Sequence, residues 1–158
     1  MKRIAVLIPS LILLTACNLD HSGGLRLGPT MEPYAQNIIE EKQLLQKGET
    51  LKAYYDATIS LDGSDAIVLT NQRVFRYFEG QVTSIKLKEL DRIRLVNRHF
   101  LGATVLLISE KKSFKVEMGP QSEIDMLLRL IQTEASSLKQ AVSIPRLARL
   151  KQRAENKL

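Results

Sequence analysis

The chain has 158 residues and a formal net charge of +6, with 23 Lys and Arg against 17 Asp and Glu. Its one cysteine excludes an intramolecular disulfide, so the fold rests on burial and hydrogen bonding. Two histidines and that lone cysteine offer no ligand set for a metal site, and no local arrangement of Ser, His and Asp marks a nucleophile.

Met1-Lys2-Arg3 is a basic start, residues 4–14 are almost wholly apolar, and Leu14-Thr15-Ala16 brings small residues up to Cys17. Basic, apolar and then small is the order of a secretory signal peptide. The apolar run contains Pro9 and falls well short of the roughly 20 residues that cross a bilayer core. Residues 14–17 resemble the lipobox of a bacterial lipoprotein signal, Leu-(Ala/Ser/Thr)-(Gly/Ala)-Cys. The resemblance implies cleavage of residues 1–16, a diacylglyceryl thioether on Cys17 and an acylated amino terminus bearing chains such as palmitate. One acyl chain holds a protein to a membrane only marginally, whereas two or three anchor it stably. Asn18 follows the cysteine where inner-membrane lipoproteins tend to carry Asp. The expected address is therefore the cell envelope, on the outer membrane facing the periplasm.

Residues 17–32 read as a flexible linker, with Gly23-Gly24, Gly28-Pro29 and Pro33 at its end. A helix is expected over 33–47, started by Pro33 and stopped by Gly48. The period then changes. Leu51, Ala53, Tyr55, Ala57 and Ile59 alternate with Lys52, Tyr54, Asp56 and Thr58, which predicts a half-buried strand over 51–59. Asp62-Gly63-Ser64-Asp65 is a turn into a hairpin partner over 66–69. Further strands are expected over 73–78, 82–87, 93–96, 103–109 and 113–118. Gly119-Pro120 ends the last of them, and Ser122 can cap a long helix with Glu123 and Asp125 at its positive end. Ile124, Leu127, Leu128, Ile131, Ala135, Leu138 and Val142 give that helix an apolar stripe at spacings of three and four. About seven antiparallel strands and a covering amphipathic helix define an α+β fold over 48–142, a small barrel or sandwich.

Three segments resemble the bacterial pleckstrin-homology-like and GRAM domains: Gly48-Glu49-Thr50-Leu51, Ile67-Val68-Leu69-Thr70-Asn71-Gln72-Arg73-Val74-Phe75 and Ile85-Lys86-Leu87-Lys88-Glu89-Leu90. The resemblance covers about residues 47–136. It implies a scaffold that binds lipid head groups, peptides or proteins, and fold alone does not choose among them. Phosphoinositide-binding members gather Lys and Arg around the first hairpin. Here that hairpin carries Asp62 and Asp65, and the nearest base in sequence is Arg73.

Basicity is concentrated elsewhere. Arg92, Arg94 and Arg98 are expected to form one basic strand edge. Ser143-Ile144-Pro145 is expected to interrupt the long helix and open a tail over 143–158. There Arg146, Arg149, Lys151, Arg153 and Lys157 accompany an apolar row of Leu147, Leu150, Ala154 and Leu158. A basic amphipathic segment of this kind suits an anionic membrane surface or a protein partner. Without chemistry-bearing constellations the expected function is a non-catalytic adaptor for another envelope protein, held to the membrane by Cys17. No cofactor, small-molecule substrate or nucleic acid is expected. The alternative is a structural envelope lipoprotein whose basic tail grips anionic lipid or cell-wall polymer.

Overall fold

A computed structural model describes residues 24–28, 31, 33–58, 60–99 and 101–155, with side chains described as far as residue 140 apart from His99 and Gln121. The elements in chain order are β1 (Leu25–Leu27), α1 (Pro33–Glu41), β2 (Leu51–Asp56), β3 (Asp65–Thr70), β4 (Arg73–Phe78), β5 (Gln81–Lys86), a single 3-10 turn (Leu87–Glu89), β6 (Leu90–His99), β7 (Gly102–Ser109), β8 (Ser113–Met118) and α2 (Gln121–Glu155). All pairings are antiparallel, in one sheet ordered β1-β2-β3-β4-β5 and another ordered β6-β7-β8. The protein is therefore α+β with two antiparallel sheets, and among the described residues no strand pairing closes them into a barrel.

Two apolar layers share the larger sheet. Its inner face contributes Ala53, Tyr55, Ile67, Leu69, Val74 and Ile85. These pack against Val105, Leu107, Phe114 and Val116 of the second sheet and Ile124, Leu127 and Ile131 of α2. Its outer face contributes Tyr54, Ala66, Val68, Phe75 and Tyr77, covered by Met31, Ala35, Ile39 and Leu44 of α1 and its flanks. Period-2 alternation predicts one wet face for β2, but α1 dries it. Tyr54 is fully buried and Asp56 nearly so.

Strand β2 ends at Asp56 rather than residue 59, and β5 ends at Lys86 because Leu87 opens the 3-10 turn; four larger departures follow. The linker contains β1, whose Leu25, Arg26 and Leu27 pair with Tyr55, Tyr54 and Ala53. The backbone approach there admits only glycine, because a Cβ on Gly24 would lie 1.9 Å from the Asp56 carbonyl oxygen. Helix α1 stops at Glu41 rather than residue 47, and Gln43 enters the left-handed region at φ 50°. Strand β6 runs Leu90–His99 rather than 93–96, because two register shifts hide its alternation and its polar residues face solvent. It also takes in His99. Helix α2 continues through Pro145 to Glu155 instead of breaking at 143–145. Strands β4 and β8 match expectation residue for residue.

Candidate functional site

The first hairpin is organised by its carboxylates. Asp56 Oδ2 accepts from the Gly63 N–H at 2.9 Å and its Oδ1 accepts from the Thr58 N–H at 2.9 Å. Asp62 accepts from the Ser60 hydroxyl and the Ser64 N–H, and these bonds hold its carboxyl down to about 2. Asp65 starts β3 and holds Arg76 through two contacts of 2.8 and 2.7 Å, while Arg76 Nη1 donates to the Lys115 carbonyl at 3.1 Å. The base nearest this turn therefore ties the two sheets together and sits over the Phe78 ring at 4.6 Å. No cluster of Lys and Arg surrounds the hairpin among the described residues, and two of its three carboxylates are engaged with backbone N–H groups.

Arg73 is spent differently. Its guanidinium donates to both carboxylate oxygens of Glu49 at 2.7 and 3.1 Å, and to the Leu44 carbonyl at 2.8 Å. The two side chains are 8% and 1% exposed, and Arg73 stacks 4.4 Å from the Phe75 ring centroid. Around them Asn71 Oδ1 accepts from the Thr50 N–H, Gln72 donates to the Gly48 carbonyl, and the Thr70 hydroxyl donates to the Arg73 carbonyl. Burial pushes the Glu49 carboxyl up, but the Arg73 and Gln46 donors outweigh it and hold it low. The Gly-Glu-Thr-Leu and Leu-Thr-Asn-x-Arg segments that carry the sequence resemblance thus form one buried polar knot. It fastens the α1–β2 connection to the β3–β4 turn, and its role is to hold the sheet. Beside it lies an open groove of about 370 Å³ lined by Gln46, Asn71, Ser84, Lys86, Lys88 and Leu138.

The exposed basic face lies on the second sheet. Arg92 stands opposite Ile108 and Arg94 opposite Leu106, with Lys115 next across from Leu106. Both arginines are exposed, and among the described residues neither has a carboxylate partner. Arg98 does not join them. A register shift between Leu95 and Asn97 sets it opposite Ala103, whose side chain faces the core, so the expected single edge of three arginines becomes a pair plus one. Sequence alternation alone misses this, because a bulge changes the face of every residue beyond it. It also misses Lys139, whose Nζ donates to the Leu90 carbonyl at 2.6 Å and moors α2 beside β6. Between them runs a shallow groove of about 150 Å³, lined by Arg92, Ile93, Gln132, Ala135, Ser136 and Lys139.

Glu123 lies in the first turn of α2, at its positive end as expected, and does a second job there. Its Oε2 accepts from the Leu25 N–H at 3.1 Å and so clips β1 to the start of α2, and burial raises its carboxyl above the ordinary range. The first turn of α2 is closed by the Pro120 carbonyl, which accepts from the Glu123 and Ile124 N–H groups. Ser122 lies inside the helix. Cys17, Asn18 and His21 lie outside the described residues, as does Lys157. The side chains of Arg146, Arg149, Lys151 and Arg153 do too, although α2 carries their backbone. Among the described residues no group of His, Cys, Asp and Glu could hold a metal ion, and no helix is long and apolar enough to cross a membrane.

No protein-family model matches the chain, and no curated protein matches it. The chain is similar to a solved structure of a DUF1696 family protein with a pleckstrin-homology domain from Shewanella loihica PV-4. The identity is 14% and the TM-score 0.46, covering 74% of this chain and 98% of the other.

Proposed function

We propose that the protein is a membrane-anchored bacterial lipoprotein whose pleckstrin-homology-like domain acts as a non-catalytic adaptor for another envelope protein. The anchor is lipidated Cys17, and the outer membrane facing the periplasm is the address that Asn18 favours. The observation that carries the binding role is the charge of Arg92 and Arg94. Elsewhere in the domain Arg73 and Arg76 are committed to Glu49 and Asp65, whereas this pair is exposed and unmatched by any described carboxylate. Uncommitted charge on a well-packed sheet is the usual makings of an electrostatically steered contact.

Membrane fractionation with crosslinking tests the reading. Cys17→Ser protein should leave the membrane fraction at high salt while keeping its far-ultraviolet circular dichroism. Arg92→Glu/Arg94→Glu should lose its crosslinked partner while staying membrane-bound. Cys17→Ser protein that remains membrane-bound at high salt overturns the anchor, and an unchanged crosslink pattern in the arginine pair overturns the adaptor role. The second reading, a grip on anionic lipid or cell-wall polymer by the tail, is favoured by the unbroken run of α2 to Glu155. It requires salt-sensitive binding of a 139–158 peptide to anionic vesicles or sacculi.

A further inference from the structure

Strand β6 combines three properties that no other strand here shares. It is the longest strand, with ten residues, and it lies at the edge of its sheet, so its outward N–H and C=O groups have no strand partner among the described residues. Its first residues, Leu90 to Ile93, line a groove whose other wall is Gln132, Ala135, Ser136 and Lys139 of α2. Its two faces differ in chemistry. Arg92 and Arg94 point to solvent beside Leu106 and Ile108, while Ile93 and Leu95 are half-buried against the core.

Resting on the reading of Arg92 and Arg94 as the contact surface, we infer that β6 binds its partner by strand addition. The occupant is an extended acidic segment of another protein that alternates carboxylate and apolar side chains. Residues lying opposite Arg92 and Arg94 would be acidic, since opposite charges at directly paired positions stabilise a sheet. Residues between them would turn toward Ile93, Leu95 and Ala135 and would be apolar. Main-chain hydrogen bonds supply the affinity and the alternate side chains the selectivity, as in other strand-addition complexes. A second copy of this chain is a poor occupant. Pairing β6 with itself about Ile93 sets Arg92 against Arg94, and pairing about Arg94 sets that residue against itself, both like-charge contacts. The Lys139–Leu90 bond fixes the near end, so the added strand begins beside Arg92.

The test uses the full chain and a fluorescein-labelled decapeptide of alternating Glu and Val, read by polarisation. Binding should fall at least tenfold in Arg92→Glu/Arg94→Glu and stay unchanged in Lys42→Glu, a base at the end of α1, which covers the outer face of the larger sheet. N-methylating one set of alternate peptide residues should abolish binding, and methylating the other set should not, because only one set points its N–H groups at β6. Indifference to methylation at both sets overturns strand addition and leaves charge attraction alone. Arginine-dependent binding of anionic phosphatidylglycerol vesicles, without peptide binding, overturns it in favour of a membrane face. If the peptide fails while Arg94 still crosslinks to an envelope protein, strand addition is wrong and the adaptor role survives. Loss of both overturns both.

Discussion

Glu49→Ala is the sharpest test of how the domain is held together. The substitution removes both acceptors of the Arg73 Nε and Nη2 donors and leaves the Leu44 carbonyl as that guanidinium's only polar partner among those described. With both side chains under 10% exposed, the cost is that of an uncompensated buried charge, about 3–5 kcal/mol. A domain of this size is stable by about 5–15 kcal/mol, so the variant should fold marginally at neutral pH. The chain has no tryptophan, and urea unfolding is best followed by circular dichroism. At a slope of about 2 kcal/mol per molar, the midpoint should drop by about 1.5–2.5 M. The pH dependence is a second readout. The folded Glu49 carboxyl is held below its ordinary value of 4.5, so the pair's stabilisation is complete above that value and is lost as pH falls through the lowered one. The gap between wild type and Glu49→Ala should therefore shrink below about pH 4. A loss under about 1 kcal/mol at pH 7, or a gap that widens in acid, refutes the buried-knot argument. Glu49→Leu/Arg73→Met should recover most of the loss, since apolar replacement of both partners leaves no orphaned charge.

Three further substitutions probe neighbouring elements. Glu123→Gln keeps an acceptor for the Leu25 N–H. Its carboxyl is raised by burial, so its contribution is present at low pH and fades as pH rises through the raised value. The glutamine variant should lie within about 1 kcal/mol of wild type at pH 7 and show its relative gain there, with the opposite pH trend to Glu49→Ala. Tyr54→Phe deletes a buried hydroxyl that has no hydrogen-bond partner among the described residues, so denaturant unfolding should show no loss and up to about 1 kcal/mol of gain. Gly63→Ala should cost at least about 1–2 kcal/mol. Its φ is +71°, and a Cβ would lie 2.2 Å from Ile38 Cδ1 and 2.8 Å from the Tyr54 hydroxyl. A thermal midpoint unchanged from wild type would contradict that packing.

How far the fold is legible from sequence depends on which signal each element carries. Strand β8 keeps period 2 and ends at Gly119-Pro120, and β4 is bounded by the turns at Asn71-Gln72 and Glu79-Gly80, so their limits are readable. The stripe of α2 places Ile124, Leu127, Ile131 and Ala135 correctly in the core. Strand β1 leaves no such trace, because three residues are too few for periodicity and Gly24 and Gly28 suggest a tether. They are glycines because the backbone of β2 passes within contact of their Cα atoms. The wet face assigned to β2 fails for a tertiary reason, since only α1 decides that Tyr54 is dry. The exposed bases Arg92 and Arg94 are legible from charge in the sequence, but the bulge that separates Arg98 from them and the Lys139 mooring arise only in the folded chain. Arg73, the nearest base to the first hairpin in sequence, proves to be a partner of Glu49 once both are placed.

The central claim is that the face of β6 holds an envelope protein. A photo-crosslinking residue at position 94, compared with one at exposed position 40 on α1, measures this in intact membranes. Position 94 should yield one dominant protein adduct that disappears when Arg92 is changed to Glu, and position 40 should not yield it. The same adducts at both positions, or lipid alone at position 94, would contradict the account.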